Sequence, residues 1–275
     1  MILFDNVSVV YPLPGARDFF ALKNIQLTIE TGEFVAIMGL NGSGKTTLAR
    51  LCNGLVMPSA GRVVVDGHTI SPQDASAVPE IRRRVGMVFQ NPENQIVSTT
   101  VEREIAFGLE NLGIDHEEMH RRVEKALKNF ELLAYRDRPP HRLSGGEKQR
   151  LALAAIMAMQ PAHLILDEPT SLLDFKNQRQ LMETILALHR NPQTPPHTVI
   201  HITQFPAEAL YAGRLIVLHQ GQVALDGPPM EIFLQEKRLQ QLGLRPPVEF
   251  SAYLRLLQKK YPLKSIQDLL LRPIL

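Results

Sequence analysis

The stretch Gly39-Leu40-Asn41-Gly42-Ser43-Gly44-Lys45-Thr46 joins a strand-like segment to a helix-like one, and this arrangement is the strongest indication of the fold. The apolar run 34–38 precedes it and the run 47–51 follows it, so a buried strand, a glycine-rich loop and a helix are expected in that order. Glycines let successive backbone N–H groups turn toward one oxyanion, and the helix dipole adds partial positive charge there. The alternative is an ordinary glycine-rich turn, but the context favours a site for a polyphosphate.

Within this loop the residue types predict separate contacts. Lys45 can reach the outer phosphates, and the hydroxyl of Thr46 can ligate the accompanying Mg²⁺. The residues expected to contact the phosphates are Gly39, Asn41, Gly42, Ser43, Gly44, Lys45, Thr46 and Thr47.

Composition gives no charge-based reason to expect a polyanionic partner. The net charge is +2, from 30 basic and 28 acidic residues among 275, so neither nucleic acid nor anionic lipid is favoured. A single cysteine, Cys52, excludes a disulfide within the chain and fits a reducing compartment. No signal peptide is expected, and the longest apolar helical run, 151–159, is about half the length that crosses a bilayer. We therefore expect a soluble chain with no transmembrane segment.

Aliphatic and β-branched runs of strand length recur along the chain, with helical stretches between most of them. This pattern predicts an α/β fold in which helices cover a parallel sheet on both faces. The predicted strands are 2–10, 25–29, 34–38, 62–65, 85–89, 163–166, 198–202 and 214–218.

Two segments differ from this α/β pattern. Residues from about 91 to 160 are helical and charged, which predicts a helical subdomain inserted into a domain that spans residues 1–227. Residues 228–275 follow a Gly-Pro-Pro sequence and are predicted to form a helical extension. Its short amphipathic helices are expected at 230–241, 251–259 and 265–271.

The strand 163–166 is followed by two acids, Asp167 and Glu168. A carboxylate at the end of a buried strand beside a phosphate loop can hold Mg²⁺, a role that we assign to Asp167. Glu168 is then placed to polarise the attacking water as general base. An acid pair after an apolar run can also be a simple turn, but its position after the phosphate loop favours the catalytic interpretation.

Leu143-Ser144-Gly145-Gly146-Glu147 is the second specific string. Ser144 has the residue type of a helix N-cap and glycines follow it, which predicts a second anion site. Together the two strings resemble the ATP-binding subunits of ABC transporters, for which Leu-Ser-Gly-Gly-Glu/Gln is the signature. The resemblance covers residues 2 to about 227. It implies a P-loop NTPase core of ABC ATPase type with an antiparallel β subdomain, and it implies ATP and Mg²⁺ as ligands.

The resemblance also implies roles that the residues alone do not. In this family two subunits pair head to tail, so Ser144, Gly145 and Gly146 would serve the nucleotide of a partner ATPase. Tyr11 stands where the family stacks an aromatic ring on adenine, a contact worth ~1–3 kcal/mol. The alternative for Tyr11 is an ordinary tyrosine at the end of a strand.

Two further positions match the family. Gln90 matches the glutamine that contacts Mg²⁺ or the attacking water and reports the nucleotide to the helical subdomain. Asp174 ends the string Ser-Leu-Leu-Asp, which matches the loop that crosses the dimer interface. The usual string is Ser-Ala-Leu-Asp, so Leu172 is a mild departure.

Gln204 is a larger departure, because the family places a histidine there to contact the γ-phosphate. A glutamine amide can donate a hydrogen bond to a phosphate oxygen, but it cannot carry charge or move a proton. His201 lies three residues earlier, inside the strand, where a packed or hydrogen-bonded role is expected. Since Glu168 is retained, we expect Gln204 to reduce ATP hydrolysis without abolishing it.

Three local features resemble the energy-coupling factor importers and their cobalt and nickel relatives. They are residues 90–111, residues 11–24 and the C-terminal helical extension. The resemblance implies a pair of ATPase subunits, identical or different, that drives a transmembrane coupling protein and a substrate-binding membrane protein. A vitamin or a transition-metal ion would be the cargo, and the chain would lie peripherally at the cytoplasmic face of the cell membrane. Residues 91–111 would receive the helices of the coupling protein, or would simply pack the helical subdomain.

The extension carries an apolar stripe that could pack on its own domain or on a second ATPase. Because the extension lies outside the α/β domain, dimer contact is the favoured expectation. The stripe comprises Ile232, Phe233, Leu239, Leu242, Leu254, Leu256 and Leu257.

Two other functions remain open from the sequence. The first is a soluble ABC-type ATPase that acts on nucleic acid, although residues 90–144 leave room for only a small helical subdomain and one cysteine cannot build a zinc module. No nucleic-acid partner is therefore expected. The second is a weakly hydrolysing regulatory partner, which Gln204 motivates.

Overall fold

The computed structural model describes residues 1–12, 15, 18–190 and 197–258, and the strands of this part form two sheets. All eight predicted strands are present. Two strands that were not predicted, His68–Ile70 and Gln222–Gly227, are also present. The strands are β1 (Ile2–Tyr11), β2 (Phe19–Ile29), β3 (Phe34–Met38), β4 (Ala60–Val65), β5 (His68–Ile70), β6 (Val85–Val88), β7 (His163–Asp167), β8 (Thr198–Ile202), β9 (Arg214–His219) and β10 (Gln222–Gly227).

Helices connect most of these strands within the described residues. They are α1 (Lys45–Cys52), α2 (Val78–Arg84), α3 (Val101–Asn111), α4 (His116–Asn129), α5 (Gly145–Ala158), α6 (Phe175–His189), α7 (Pro206–Ala209), α8 (Pro229–Phe233), α9 (Glu236–Gln241) and α10 (Val248–Gln258). None of them is both long and apolar enough to cross a bilayer.

The central sheet has the order β10-β9-β3-β8-β7-β6, and all its neighbours are parallel except the edge pair β10–β9. Alternate side chains point to opposite faces of a strand, so β3 contributes Phe34, Ala36 and Met38 to one core and Val35 and Ile37 to the other. Helices cover the first face. The second face packs against the antiparallel sheet β2-β1-β4-β5 together with α1 and α2. Helices are therefore present on both faces, as expected, and on the second face they share the covering of the sheet with the antiparallel subdomain.

The helical subdomain consists of α3, α4 and α5, which pack against one another as predicted. Its helices begin at side-chain caps. Thr100 Oγ1 accepts a hydrogen bond from the amide of Arg103 at 3.3 Å, and Asp115 Oδ1 accepts one from the amide of Glu118 at 3.1 Å. Such caps satisfy amides that the first helical turn leaves without partners.

The described part of the extension packs on its own domain. Ile232, Phe233 and Leu239 are each at most 2% exposed and belong to the core on the helical face of the central sheet, and Leu242 and Leu254 pack against it. The ring of Phe233 lies 5.8 Å from that of Phe250. The expectation that this stripe contacts a second ATPase is therefore wrong for the three buried side chains, because the apolar area that they carry is already removed from water.

The extension also differs from the predicted helix boundaries. The predicted helix 230–241 is divided into α8 and α9, with Leu234 and Gln235 between them. The predicted helix 251–259 begins three residues earlier, at Val248, and is described as far as Gln258. The predicted helix 265–271 and the side chains of Leu256 and Leu257 lie outside what the structure describes, as do residues 13, 14, 16 and 17 of the segment 11–24.

The single cysteine is buried in the core between the central sheet and the antiparallel sheet. Cys52 is 1% exposed, and its Sγ lies 3.4 Å from the carbonyl oxygen of Leu48. Burial raises the pKa of the Cys52 thiol to about 12. The reactive thiolate is therefore suppressed at neutral pH.

Gly86 tests the packing between the central sheet and the helical subdomain. A Cβ at Gly86 would lie 2.3 Å from Ile156 Cγ2 and 3.0 Å from Pro161 Cγ. Gly86→Ala should therefore lower the free energy of unfolding by about 1–3 kcal/mol, the usual cost of overpacking. Denaturant titration measures this quantity. Gly227→Ala is the control, since a Cβ there meets no atom within 4 Å. Equal effects of the two substitutions would contradict the packing.

Candidate nucleotide site

The phosphate loop connects β3 to α1, as predicted, and leaves a cleft of about 390 Å³. Gly44 occupies the step into the helix with φ +104, and a Cβ there would lie 2.5 Å from the carbonyl oxygen of Ala21. A side chain would therefore collide with β2 and strain the backbone. The residues that line the cleft are Phe19, Ala21, Asn41, Gly42, Gly44, Lys45, Thr46, Thr47, Gln90, Glu168 and Gln204.

Lys45 is the cation of this cleft and is 5% exposed. Its Nζ donates hydrogen bonds to the carbonyl oxygens of Gly39 at 2.9 Å and Leu40 at 3.2 Å. Burial lowers the pKa of Lys45, while the charges of Glu168 and Asp167 act in the opposite direction. The ammonium group is thus held against the loop by carbonyl groups, which an anionic ligand can replace.

Asp167 ends β7 and is 5% exposed. Its Oδ1 accepts a hydrogen bond from Thr46 Oγ1 at 3.2 Å. Burial raises the pKa of Asp167, and the hydrogen bond from Thr46 and the charges of Arg50 and Lys45 oppose this shift. Two of the three residues predicted to contact Mg²⁺, Thr46 and Asp167, are therefore in direct contact.

Glu168 follows Asp167 with an unusual backbone conformation of φ +50. Its amide donates a hydrogen bond to the carbonyl oxygen of Ile202 at 3.0 Å, and its Oε2 accepts one from Gln90 Nε2 at 3.1 Å. Burial raises the pKa of Glu168, the charge of Lys45 lowers it, and the charges of Asp167 and Glu208 raise it further. A carboxylate with a raised pKa is better matched to proton transfer near neutral pH than an ordinary glutamate.

The oxygen donors at this cleft fit Mg²⁺, because Thr46 and Gln90 line it and Asp167 contacts Thr46 directly. The hydroxyl of Thr46, the carboxylate of Asp167 and the amide oxygen of Gln90 are hard oxygen ligands, which Mg²⁺ prefers. Ser43 Oγ is buried in the same loop and lacks a hydrogen-bond partner among the described residues. The described residues contain no group of three or more His, Cys, Asp or Glu side chains that could hold a metal by themselves.

Gln204 lines the cleft, whereas His201 faces the protein interior. His201 is fully buried, and its Nε2 lies 2.9 Å from Glu208 Oε2. The same oxygen accepts a hydrogen bond from Thr203 Oγ1 at 2.5 Å. The prediction of a hydrogen-bonded strand histidine is confirmed. The partner Glu208 lies seven residues away, and the sequence alone gave no reason to choose it.

The signature string forms the predicted helix start. Ser144 Oγ accepts a hydrogen bond from the amide of Glu147 at 3.3 Å, and Glu147 Oε2 accepts one from the amide of Ser144 at 2.6 Å. This reciprocal pair is a capping box at the start of α5. Asp174 caps α6 in a similar way, and the amide and side-chain hydrogen bonds from Asn177 hold the pKa of Asp174 below its usual range.

Neither cap lies in the phosphate cleft of its own chain. Ser144, Gly145, Gly146 and Asp174 are all absent from the described residues that line it. A Cβ at Gly145 would meet no atom within 4 Å, so the backbone of this helix start is open. Two separate surfaces of one chain are thus predicted to contact a nucleotide. One is the phosphate cleft, and the other carries the caps at Ser144 and Asp174.

The aromatic residue in the cleft is Phe19, which the sequence analysis missed. Tyr11 ends β1 and pairs directly with Phe19 across the antiparallel ladder, yet it does not line the cleft. Both rings are exposed, Tyr11 by 40% and Phe19 by 47%. Two consecutive phenylalanines before Ala21-Leu22 are the signal that could have indicated this position.

Comparison with known proteins agrees with this geometry. Residues 22–171 match the ABC transporter family. The energy-coupling factor transporter ATP-binding protein EcfA1 of Clostridioides difficile is 43% identical over 90% of the chain and 87% of the relative. Its counterpart from Caldanaerobacter subterraneus is 45% identical over the same shares.

Two solved structures are similar in fold. The ATP-binding cassette MJ0796, in a dimeric post-hydrolysis state bound to ADP and Pi, has a TM-score of 0.75 and 31% identity, covering 83% of the chain and 99% of the cassette. CbiO1 of Clostridium perfringens, part of the ABC transporter complex cbiONQ, has a TM-score of 0.73 and 32% identity, covering 92% and 98%.

A phosphate loop and a strand-end acid pair on one parallel sheet define a P-loop ATPase. The chain belongs to the ABC transporter family, within which its relatives are the ATP-binding proteins of energy-coupling factor transporters. It is an ATP-binding ATPase of this type.

Asp167→Asn should raise the midpoint of thermal unfolding of the nucleotide-free chain by a few degrees at neutral pH. The buried charge is lost, while an amide oxygen can still accept the hydrogen bond from Thr46. An acid whose pKa is raised by folding lowers stability at pH values above its unfolded-state pKa, so the gain should shrink toward about pH 4.

Thermal unfolding followed by circular dichroism at pH 7 and at pH 4 measures this effect. Asp174→Asn is the matched control, because hydrogen bonds lower the pKa of Asp174 and its removal should bring no gain. A gain at Asp174 that equals the gain at Asp167 would contradict the explanation.

Proposed function

We propose that the chain is the ATP-binding and ATP-hydrolysing subunit of an importer of the energy-coupling factor type, which carries a vitamin or a transition-metal ion. The contact between Thr46 and Asp167, with Lys45 in the same cleft, is the observation that carries the proposal. The names of the similar proteins support it, since they are energy-coupling factor ATP-binding proteins. The geometry of the cleft supports the nucleotide site, and the names of the similar proteins support a role in membrane transport.

In this proposal the residues at the cleft have separate roles in ATP hydrolysis. Thr46, Asp167 and Gln90 would hold Mg²⁺, which would neutralise charge on the transferred phosphoryl group. Glu168 accepts a proton from the attacking water as general base, and Gln90 orients its carboxylate. The main-chain N–H groups of residues 39–47 bind the phosphates.

A second ATPase subunit completes the proposed assembly. Ser144, Gly145, Gly146 and Asp174 lie outside the chain's own cleft, so their predicted contacts need the nucleotide site of a partner. A cassette of similar fold is dimeric. Whether the partner ATPase is identical or different, each nucleotide would lie between a phosphate loop and a signature string.

A transmembrane coupling protein is the second proposed partner, and a substrate-binding membrane protein is the third. Val97 and Phe107 of the helical subdomain are 65% and 47% exposed. Glu104 Oε2 accepts hydrogen bonds from the amides of Val97 at 3.0 Å and Ser98 at 2.7 Å, so the loop is fixed to α3. This apolar surface supports docking at residues 91–111 and a peripheral position at the cytoplasmic face of the cell membrane.

Phe107→Asp tests the proposed docking. It should reduce co-purification of the chain with its membrane coupling protein by about tenfold or more, because an exposed aromatic anchor is replaced by a charge. Binding of Mg-ATP to the purified chain should not change. Leu133→Asp is the matched control, since Leu133 is 46% exposed in the same subdomain but outside residues 91–111. Undiminished co-purification of the Phe107 variant would reject this docking surface.

Gln204 supports a second candidate function, a weakly hydrolysing regulatory ATPase in a pair with a more active subunit. The amide of Gln204 lines the cleft but supplies no charge to a phosphate. His201 does not replace it, because its ring is buried against Glu208. We propose that turnover at this chain's phosphate loop is reduced and that Glu168 keeps it measurable.

Gln204→His should raise the rate of ATP hydrolysis by the assembled complex roughly tenfold, equivalent to about 1.4 kcal/mol of transition-state stabilisation. Steady-state phosphate release from the purified complex measures it. Glu168→Gln sets the lower reference, with an expected loss of about 100-fold or more. An unaltered rate in the Gln204 variant would remove the case for reduced turnover and for the regulatory function.

A further inference from the structure

A second cleft lies beside the nucleotide cleft and shares two of its residues. It has a volume of about 840 Å³ and is formed by the tip of the phosphate loop, the segment 204–207 and the segment 243–248 of the C-terminal extension. Asn41 and Gln204 line both clefts. The extension therefore lies next to the place where a terminal phosphate is expected.

The segment 243–248 is fixed at both of its ends. On one side α9 is anchored by Leu239, which is fully buried, and the amide of Leu244 donates a hydrogen bond to the carbonyl oxygen of Leu239 at 2.8 Å. On the other side Phe250 of α10 is 1% exposed in the same core. The segment thus lines the second cleft, and two core contacts set its position.

The segment also contacts the phosphate loop itself. Gly243 faces Leu40 so closely that a Cβ at Gly243 would lie 2.8 Å from Leu40 Cδ1. Leu40 precedes Asn41 in the loop, so the backbone of the extension is in contact with the loop tip. Arg245, two residues further on, lines the second cleft, which shares Asn41 and Gln204 with the nucleotide cleft.

Arg245 is the charged residue in the lining of this second cleft. It is exposed, and it makes no hydrogen bond or ion pair with another described residue. The neighbouring Gln204 is neutral. A guanidinium group presents a planar fork of donors that matches a phosphate, and it keeps its charge at every physiological pH.

We propose that Arg245 is a phosphate-binding residue of this chain's own ATP site. It reaches past Asn41 and Gln204 to the terminal phosphate and supplies the positive charge that Gln204 lacks. This proposal rests on the proposed function only in taking ATP as the ligand of the phosphate loop. It gives the extension a direct part in recognising ATP in preference to ADP.

The test is the affinity of the purified full-length chain for Mg-ATP and Mg-ADP, measured in a Glu168→Gln background to prevent hydrolysis. Arg245→Ala should weaken Mg-ATP binding about tenfold, since hydrogen bonds to charged groups are worth more than neutral ones. Mg-ADP binding should change less than about twofold, because the contacted phosphate is absent. Arg245→Lys should recover part of the loss, since it keeps the charge and loses the fork.

Lys237→Ala is the matched control, because Lys237 is an exposed cation of the same extension outside the second cleft. It should leave both affinities unchanged. Thermal unfolding of the Arg245 variants should match the parent, which separates a lost contact from a lost fold.

A second substitution tests the replacement of charge. In a Gln204→His background, Arg245→Ala should weaken Mg-ATP binding less than about threefold, because the imidazole provides the contact. An equal loss of Mg-ATP and Mg-ADP affinity, or no loss, overturns the proposal. Intact Mg-ATP affinity with impaired ATP-dependent dimerisation on gel filtration also overturns it, and places Arg245 against a partner subunit instead.

These outcomes are independent of the transporter assignment. Failure to co-purify with a membrane coupling protein would reject the importer function and leave the nucleotide affinities interpretable. Conversely, an unchanged ATP affinity in Arg245→Ala would leave the importer function untouched.

Discussion

The parallel pairing of β3, β8 and β7 is the constraint on which the site depends. Ile202 of β8 pairs with Ile37 on one side and with Asp167 on the other. The carboxyl ends of the three strands therefore stand in a row, and the phosphate loop, the acid pair and Gln204 follow them at one edge of the sheet. Residues separated by more than 120 positions in the sequence, Thr46 and Asp167, come within 3.2 Å for this reason.

The arrangement concentrates charge where water is partly excluded. Burial works against the charged forms of Lys45, Asp167 and Glu168, lowering the pKa of the first and raising those of the two acids. Their mutual attraction only partly offsets the cost of desolvation, as is usual for buried ions. Such a site is stabilised by ligands that bring both signs of charge, which a magnesium–polyphosphate complex does.

Features that depend on consecutive residues could be predicted from the sequence. The phosphate loop, the strand-end acids and the cap at Ser144 depend on local backbone geometry. Each could therefore be predicted from its own short sequence motif. The position of Phe19 in the cleft, the contact of His201 with Glu208 and the existence of the second cleft depend on strand register and on tertiary contacts. No short stretch of sequence encodes these. Tyr11 and Phe19 illustrate this, because they pair across β1 and β2 and yet Phe19 lines the cleft whereas Tyr11 does not. The reason is different for Ile232, Phe233 and Leu239 of the extension, since their spacing predicts that a face is buried but does not show what buries it.

The sealed environment of Cys52 has a practical consequence for studying this protein. It is the single thiol of the chain, and its burial leaves it unreactive toward reagents that modify exposed cysteines. A cysteine introduced on the surface would thus be labelled alone, without first removing the native one. Spectroscopic probes could be placed in this way on the helical subdomain and on the α/β core, so that the distance between them can be followed through a cycle of ATP binding and release.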